Sequence, residues 1–137
     1  MVEAQIERLI AEAYAAKEKA YIPYSGFAVG AALLGKSGKI YRGCNIENAA
    51  YSPTNCAERT AVFKAVSEGE REFAGIAIAG DGDDYLSPCG VCRQVLREFA
   101  EPESFEVIMA GKNCDYRKMT LAQLLPVSFS KSDLEMD

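Results

Sequence analysis

Two short cysteine-bearing stretches carry the residues that could do chemistry: Asn55-Cys56-Ala57-Glu58-Arg59 and Ser87-Pro88-Cys89-Gly90-Val91-Cys92-Arg93. Together they offer three thiols, one carboxylate and two guanidinium groups. Three thiolates are one ligand short of a closed structural zinc site, and catalytic zinc sites keep that fourth position for water or substrate. Cys89 and Cys92 are three apart, so at a helix start their thiols share one face. The C-x-x-C spacing alone also fits redox pairs and structural zinc knuckles. Cys44 and Cys114 are the remaining thiols, and either could in principle close a four-cysteine structural site. Neither is tied to a helix start, which favours the three-ligand reading.

Charge supports the same grouping. Three thiolates around one Zn²⁺ sum to −1, and such electron donation weakens the metal's ability to acidify water. Nearby cations would restore it. Arg59 follows Cys56 by three residues and Arg93 follows Cys89 by four, so both are expected on the thiolate side, donating hydrogen bonds to sulfur. Glu58 lies two residues after Cys56, about 200° around a regular helix. The pair can share a site only if Cys56 is a cap residue with non-helical backbone, and that offset argues against Glu58 as a fourth ligand. A desolvated carboxyl there could carry protons; the plain alternative is a helix-start glutamate favoured by the dipole. The chain has no histidine, which excludes a histidine triad and any His-ligated metal.

Composition bounds the partners. The 137 residues suit one domain, 1–137, able to bury roughly 70% of its unfolded surface without disulfide staples. About half the residues are apolar and a quarter charged, as in ordinary globular proteins. The net charge of −5, with no lysine or arginine tract, disfavours a polynucleotide partner and leaves room for a small neutral ligand. No run of eighteen apolar residues and no signal-peptide core occurs, so no membrane association and a cytoplasmic setting are expected. In that reducing compartment five cysteines favour metal ligation or burial over disulfides.

The elements that must position these residues follow in chain order. From Glu3 to about Lys19, Ile6, Leu9, Ile10 and Ala13 recur at helical spacing. Tyr21 to Gly26 breaks the pattern. Phe27 to Leu34 and Lys39 to Asn45 read as strands whose four-residue link permits only an antiparallel hairpin. A polar loop, Ile46 to Thr54, leads to a helix from Cys56 to about Glu68. Phe73 to Gly80 is an apolar strand, and Asp81 to Ser87 an acidic loop. Pro88 suits the first turn of the second cysteine helix, which runs to about Ala100. Phe105 to Gly111 is a buried strand, Tyr116 to Met119 an antiparallel edge, and Thr120 caps a short helix, Leu121 to Leu125, stopped by Pro126. The tail is polar apart from Phe129, Leu134 and Met136. These elements predict an α/β mixed five-stranded sheet with helices on both faces. Adjacent parallel strands would bring both cysteine helices to one carboxyl edge, where open α/β sheets bind ligands.

Cys56-Ala57-Glu58-Arg59 followed by Pro88-Cys89-Gly90-Val91-Cys92-Arg93-Gln94 resembles the paired signature of the cytidine deaminases, in particular the small type with a three-cysteine zinc site. The resemblance extends from Pro23-Tyr24-Ser25 through Phe27 to Ala32 and Gly43 to Asn48, as far as Leu124-Leu125-Pro126. It implies a three-layer α/β/α fold and hydrolytic deamination of cytidine and 2′-deoxycytidine to their uridine counterparts with release of ammonia. Cys56, Cys89 and Cys92 would hold one Zn²⁺ per subunit, with Glu58 as proton shuttle. Asn45 and Glu47 would hold the ribose hydroxyls, and the Ala57 N–H, with Glu58, the pyrimidine amide edge. Phe27 would pack on the nucleoside. The relatives are homotetramers with shared sites, so Phe129 would stack on a base from a neighbouring subunit, and Tyr51 could also reach across. Pro53-Thr54 departs from the usual pattern but touches none of these assigned positions. A blasticidin-type deaminase, an RNA-editing deaminase and a non-catalytic zinc module remain as alternatives. Asn45, Glu47 and Phe129 favour a plain nucleoside over the first, and the acidic charge weakens the second.

Overall fold

A computed structural model of the chain describes residues 1–134, and of Cys114 the backbone alone; the tail residue Met136 falls outside. Five strands form one sheet in the order β2-β1-β3-β4-β5. They are β1 (Val29–Gly35), β2 (Ile40–Cys44), β3 (Phe73–Gly80), β4 (Glu106–Ala110) and β5 (Tyr116–Thr120). Helices α1 (Glu3–Lys17), α2 (Ala57–Ser67), α3 (Gly90–Phe99) and α4 (Leu121–Leu124) cover it. The Thr120 hydroxyl accepts the Gln123 N–H at 3.2 Å and caps α4 as expected.

The sheet is mixed. Strands β3 and β4 pair in parallel, from Gly75 opposite Glu106 to Ile78 opposite Met109, and the other neighbours are antiparallel. One expectation is corrected here: the strands that precede the two cysteine helices are not adjacent. The tight turn holds β2 against one edge of β1, so β3 takes the other edge, and the crossover through α2 passes over β1. Because β1 runs antiparallel to both neighbours, β2 and β3 still point the same way. The starts of α2 and α3 therefore meet at one edge of the sheet by a different route.

Alternation along the strands sends successive side chains to opposite faces. Ala32, Leu34, Ala77, Ala79 and Ile108 pack under Ile6, Leu9, Ile10 and Ala13 of α1. Ala31, Leu33, Ile76, Ile78 and Val107 pack against Ala61, Val62 and Ala65 of α2 and Leu96 of α3. The result is three layers around a sheet buried on both faces.

One glycine sets how close α2 lies. A Cβ at Gly43 would stand 2.3 Å from the Ala57 carbonyl oxygen and 2.5 Å from the Ala61 nitrogen. No side chain fits between β2 and the first turn of α2, so that turn rests directly on the strand.

Candidate active site

Both helix starts are built around cysteine. Cys56 caps α2 with extended backbone (φ −73°, ψ 158°), and Cys89 caps α3 in the same way (φ −68°, ψ 168°). Cys56 thus has the non-helical geometry needed for its sulfur and the Glu58 carboxyl to share a site. Pro88, expected in the first turn of α3, lies just outside it, because Cys89 is the cap. The Cys92 N–H closes that cap by donating to Cys89 Sγ at 3.4 Å.

The sulfurs of Cys56, Cys89 and Cys92 lie within 4.8 Å of one another, and the Cys56 and Cys89 sulfurs are 3.9 Å apart. Tetrahedral zinc with Zn–S bonds of ~2.3 Å spaces its sulfurs by ~3.8 Å, so the cluster fits that ion. Soft sulfur donors suit it equally. Among the described residues this is the one group of three or more potential ligands, and Cys44 is not part of it.

Arg59 donates through Nη2 to Cys56 Sγ at 3.2 Å, as its spacing predicts. Its Nε is buried with no hydrogen-bond partner among the described residues. Arg93 is different. Its Nε donates to the Pro88 carbonyl at 2.8 Å, Nη1 to the Leu124 carbonyl at 2.7 Å and Nη2 to Ser87 Oγ at 2.7 Å. The expected bond from Arg93 to sulfur is therefore replaced by bonds to oxygen, since the residues flanking Cys89 and the end of α4 supply nearer acceptors. Arg93 braces the turn that carries Cys89.

The electrostatics divide the acids into different states. The Cys92 thiol and the Arg59 guanidinium hold Cys56 down at about 5 against the cost of burial. Hydrogen bonding to Cys56 and burial push Cys92 up. Glu58 is only 5% exposed, and burial raises its carboxyl to about 7, with the charge on Cys56 adding to the rise. A carboxyl in that range can both give and accept a proton near neutral pH.

One cavity adjoins the cluster, and a second shares a wall residue with that cavity. The first, of about 200 Å³, is lined by Asn45, Cys56, Ala57, Glu58 and Cys89 together with Val29, Thr54 and Leu86. The other, of about 360 Å³, is lined by Tyr24, Ser25, Glu47, Tyr51 and Thr54. Thr54, which sequence alone does not single out as a site residue, belongs to both walls. Ile46 and Asn55 exchange backbone hydrogen bonds of 2.9 Å in both directions, folding the loop so that Thr54 returns beside Glu47. A long-range backbone pair of this kind leaves no mark in composition.

Phe27 and Phe129 line neither cavity. Phe27 is 40% exposed and its ring lies against Gly80 and Gly82. Phe129 is 60% exposed, with its carbonyl accepting from Gln94 Nε2 at 2.8 Å on α3. Tyr51 is 72% exposed and sits at φ 62°, a conformation few side chains other than glycine adopt. It packs edge-on against Tyr24 with ring centres 6.2 Å apart.

A family model described as the cytidine and deoxycytidylate deaminase zinc-binding region matches residues 3–109. The chain is 56% identical to a cytidine deaminase of Sporosarcina psychrophila over 94% of each chain. It is 49% identical to one of Halalkalibacterium halodurans, covering 93% of this chain and 96% of that one. The crystal structure of cytidine deaminase from Burkholderia pseudomallei superposes with a TM-score of 0.86 at 46% identity, over 94% of this chain and all of the other. The Mycobacterium tuberculosis structure gives 0.79 at 37% identity, over 94% and 98%. With its capped cysteines, its arginine on sulfur and its buried glutamate, the chain belongs to the cytidine and deoxycytidylate deaminase family.

Proposed function

We propose that this chain converts cytidine and 2′-deoxycytidine, with water, to uridine and 2′-deoxyuridine and ammonia. The observation that carries the reading is the meeting of a three-thiol cluster and a buried, protonatable Glu58 on the wall of one cavity. Zinc held by Cys56, Cys89 and Cys92 would supply an activated water as nucleophile toward C4 of the ring.

The residues of the chain do the rest. Glu58 takes a proton from the attacking water and delivers it to ring N3, then takes the second proton from the new C4 hydroxyl and passes it to the departing amine as the C4 carbonyl forms and the C–N bond breaks. Its burial keeps the carboxyl near the pKa at which both transfers run. Arg59 offsets the thiolate charge through its bond to Cys56. The Ala57 N–H, at a helix start where backbone donors lack intrahelical acceptors, faces the pyrimidine amide edge. Asn45 uses one N–H on the Phe27 carbonyl and one lone pair on the Val29 N–H, which leaves one donor and one lone pair for ribose. Glu47 accepts from the Tyr24 and Ser25 N–H groups through Oε1 and from the Ser25 hydroxyl through Oε2, which leaves one lone pair on Oε2 for the other hydroxyl.

The working enzyme, in this reading, is a cytoplasmic homotetramer of single-domain subunits acting in pyrimidine salvage. The exposed Tyr51 and Phe129 support shared sites: each presents an aromatic ring that its own subunit leaves uncovered. Phe129 stacks on a neighbour's base, and Phe27 packs on the nucleoside within the subunit.

The test is the ultraviolet change on mixing zinc-loaded protein with cytidine, run beside Glu58→Ala. Wild type converts cytidine to uridine, and Glu58→Ala keeps its zinc and fold while losing at least about 10²-fold in turnover. No conversion by folded, zinc-loaded wild type would overturn the reading.

A further inference from the structure

The segment Phe27–Val29 has every backbone polar group paired. Phe27 N–H donates to Ser25 Oγ at 3.0 Å, and the Phe27 carbonyl accepts from Asn45 Nδ2 at 2.9 Å. Val29 N–H donates to Asn45 Oδ1 at 2.9 Å and the Val29 carbonyl accepts from the Asn45 N–H at 3.2 Å. Between them, Ala28 is held by one residue from both sides. Its N–H donates to Asp81 Oδ2 at 2.7 Å, and its carbonyl accepts from the Asp81 N–H at 3.1 Å. Asp81 in turn is fixed by Lys17 at the end of α1, whose Nζ donates to Oδ1 at 2.9 Å.

This grip lies where the site needs a stable wall. Val29 lines the smaller cavity. The Phe27 ring rests on bare backbone beside Asp81: a Cβ at Gly80 would stand 3.1 Å from Phe27 Cε1 and 2.8 Å from Leu86 Cδ2. Leu86 lines the same cavity. An extended strand end at a sheet edge would otherwise be free to fray, and a misplaced wall weakens binding without touching the reacting atoms.

We propose that Asp81 is a positioning residue for substrate binding: its carboxylate, backed by Lys17, latches Ala28 and so holds the Phe27 ring against the nucleoside. The inference rests on the assignment of Phe27 to nucleoside packing. Asp81 touches neither the thiol cluster nor Glu58 in this arrangement, so its removal changes binding and leaves the chemical step alone. The depressed carboxyl of Asp81, held down by the Ala28 N–H and then by Lys17, agrees with a carboxylate that is charged throughout the neutral range.

A double-mutant cycle on the zinc-loaded enzyme separates the possibilities, with KM and kcat for cytidine and the dissociation constant of uridine read for each variant. Asp81→Ala raises KM and the uridine constant about tenfold, the worth of one charge-assisted hydrogen bond, and keeps kcat within about twofold. In a Phe27→Ala background the same change adds less than about twofold, because the residue it acts through is gone. Asp81→Asn, which keeps an oxygen for the Ala28 N–H, recovers most of the loss. Lys17→Met gives a smaller rise of about threefold that also vanishes in the Phe27→Ala background, and it carries the test should Asp81→Ala not fold. Full additivity of Asp81→Ala with Phe27→Ala, a fall confined to kcat, or an unchanged KM in the folded variant would overturn the proposal. An unchanged KM in Phe27→Ala itself would instead remove the assigned role of Phe27, and with it the route by which Asp81 acts.

Discussion

Arg59 and Cys56 are joined by a 3.2 Å bond from guanidinium to sulfur, three residues apart across the first turn of α2. The bond stabilises the thiolate form of a metal ligand and orients it. Replacing such a partner typically costs 10–100-fold in metal affinity. Arg59→Met is expected to release zinc to a chromogenic chelator with an affinity loss of about that size, while Arg59→Lys falls between because a compact ammonium lacks the planar fork. Wild-type zinc retention in Arg59→Met would show that the contact is incidental.

Arg93 acts on the same centre through the backbone. Its three nitrogens tie Pro88, Ser87 and Leu124 together, binding the turn before Cys89 to the end of α4. Arg93→Met leaves two carbonyls and a hydroxyl without their donor, at about 1–3 kcal/mol each where water cannot replace it. The expected result is a clear fall in the urea midpoint together with weaker zinc retention. Lost zinc affinity at unchanged stability would instead indicate a direct electrostatic role at sulfur.

How much of this was legible depends on the range of the interaction. Cys56, Glu58 and Arg59 are within three residues of one another, so the cap geometry and the arginine contact could be worked out from helical angles alone. The same reasoning failed for Arg93, because its acceptors include the Leu124 carbonyl, far along the chain. Strand order escaped for a similar reason. Hairpin length determines that β1 and β2 pair, but nothing local says that β3 takes the other side of β1. The place of Thr54 in the cavity walls is equally invisible in the sequence, because it depends on the Ile46–Asn55 backbone pair. Short-range geometry reads directly from spacing; pairing across loops does not.

Glu70 provides a test of acid stability away from the site. Its carboxylate accepts from Ser37 Oγ at 2.6 Å, the Ser37 N–H at 2.9 Å and the Tyr41 hydroxyl at 2.8 Å, clasping the β1–β2 turn. The Ser37 hydroxyl foremost, then its N–H, hold the carboxyl below its ordinary 4.5. A depressed folded-state pKa contributes stability that is present above the unfolded value and lost as pH falls through the folded one. Wild type should therefore exceed Glu70→Gln in urea midpoint at pH 7, with the gap closing as pH drops below the ordinary carboxylate range. A gap that stayed constant with pH would mean that the difference arises from the geometry of the amide and not from the charge of the carboxylate.

Gly43 gives the last prediction, because it couples packing to the metal centre. A methyl group there meets the Ala57 carbonyl and the Ala61 nitrogen, both backbone atoms of α2 that no rotamer change can clear. Gly43→Ala must lift the first turn of α2 off β2, and overpacking of this kind costs ~1–3 kcal/mol. The displaced turn carries Cys56 at its cap, so the sulfur moves away from Cys89 and Cys92. Lower stability and weaker zinc binding should therefore appear together, in urea unfolding and in chelator competition on the same variant. Loss of stability with zinc affinity intact would mean that the Cys56 cap moves independently of the helix it begins, and that the close approach of β2 and α2 serves the fold alone.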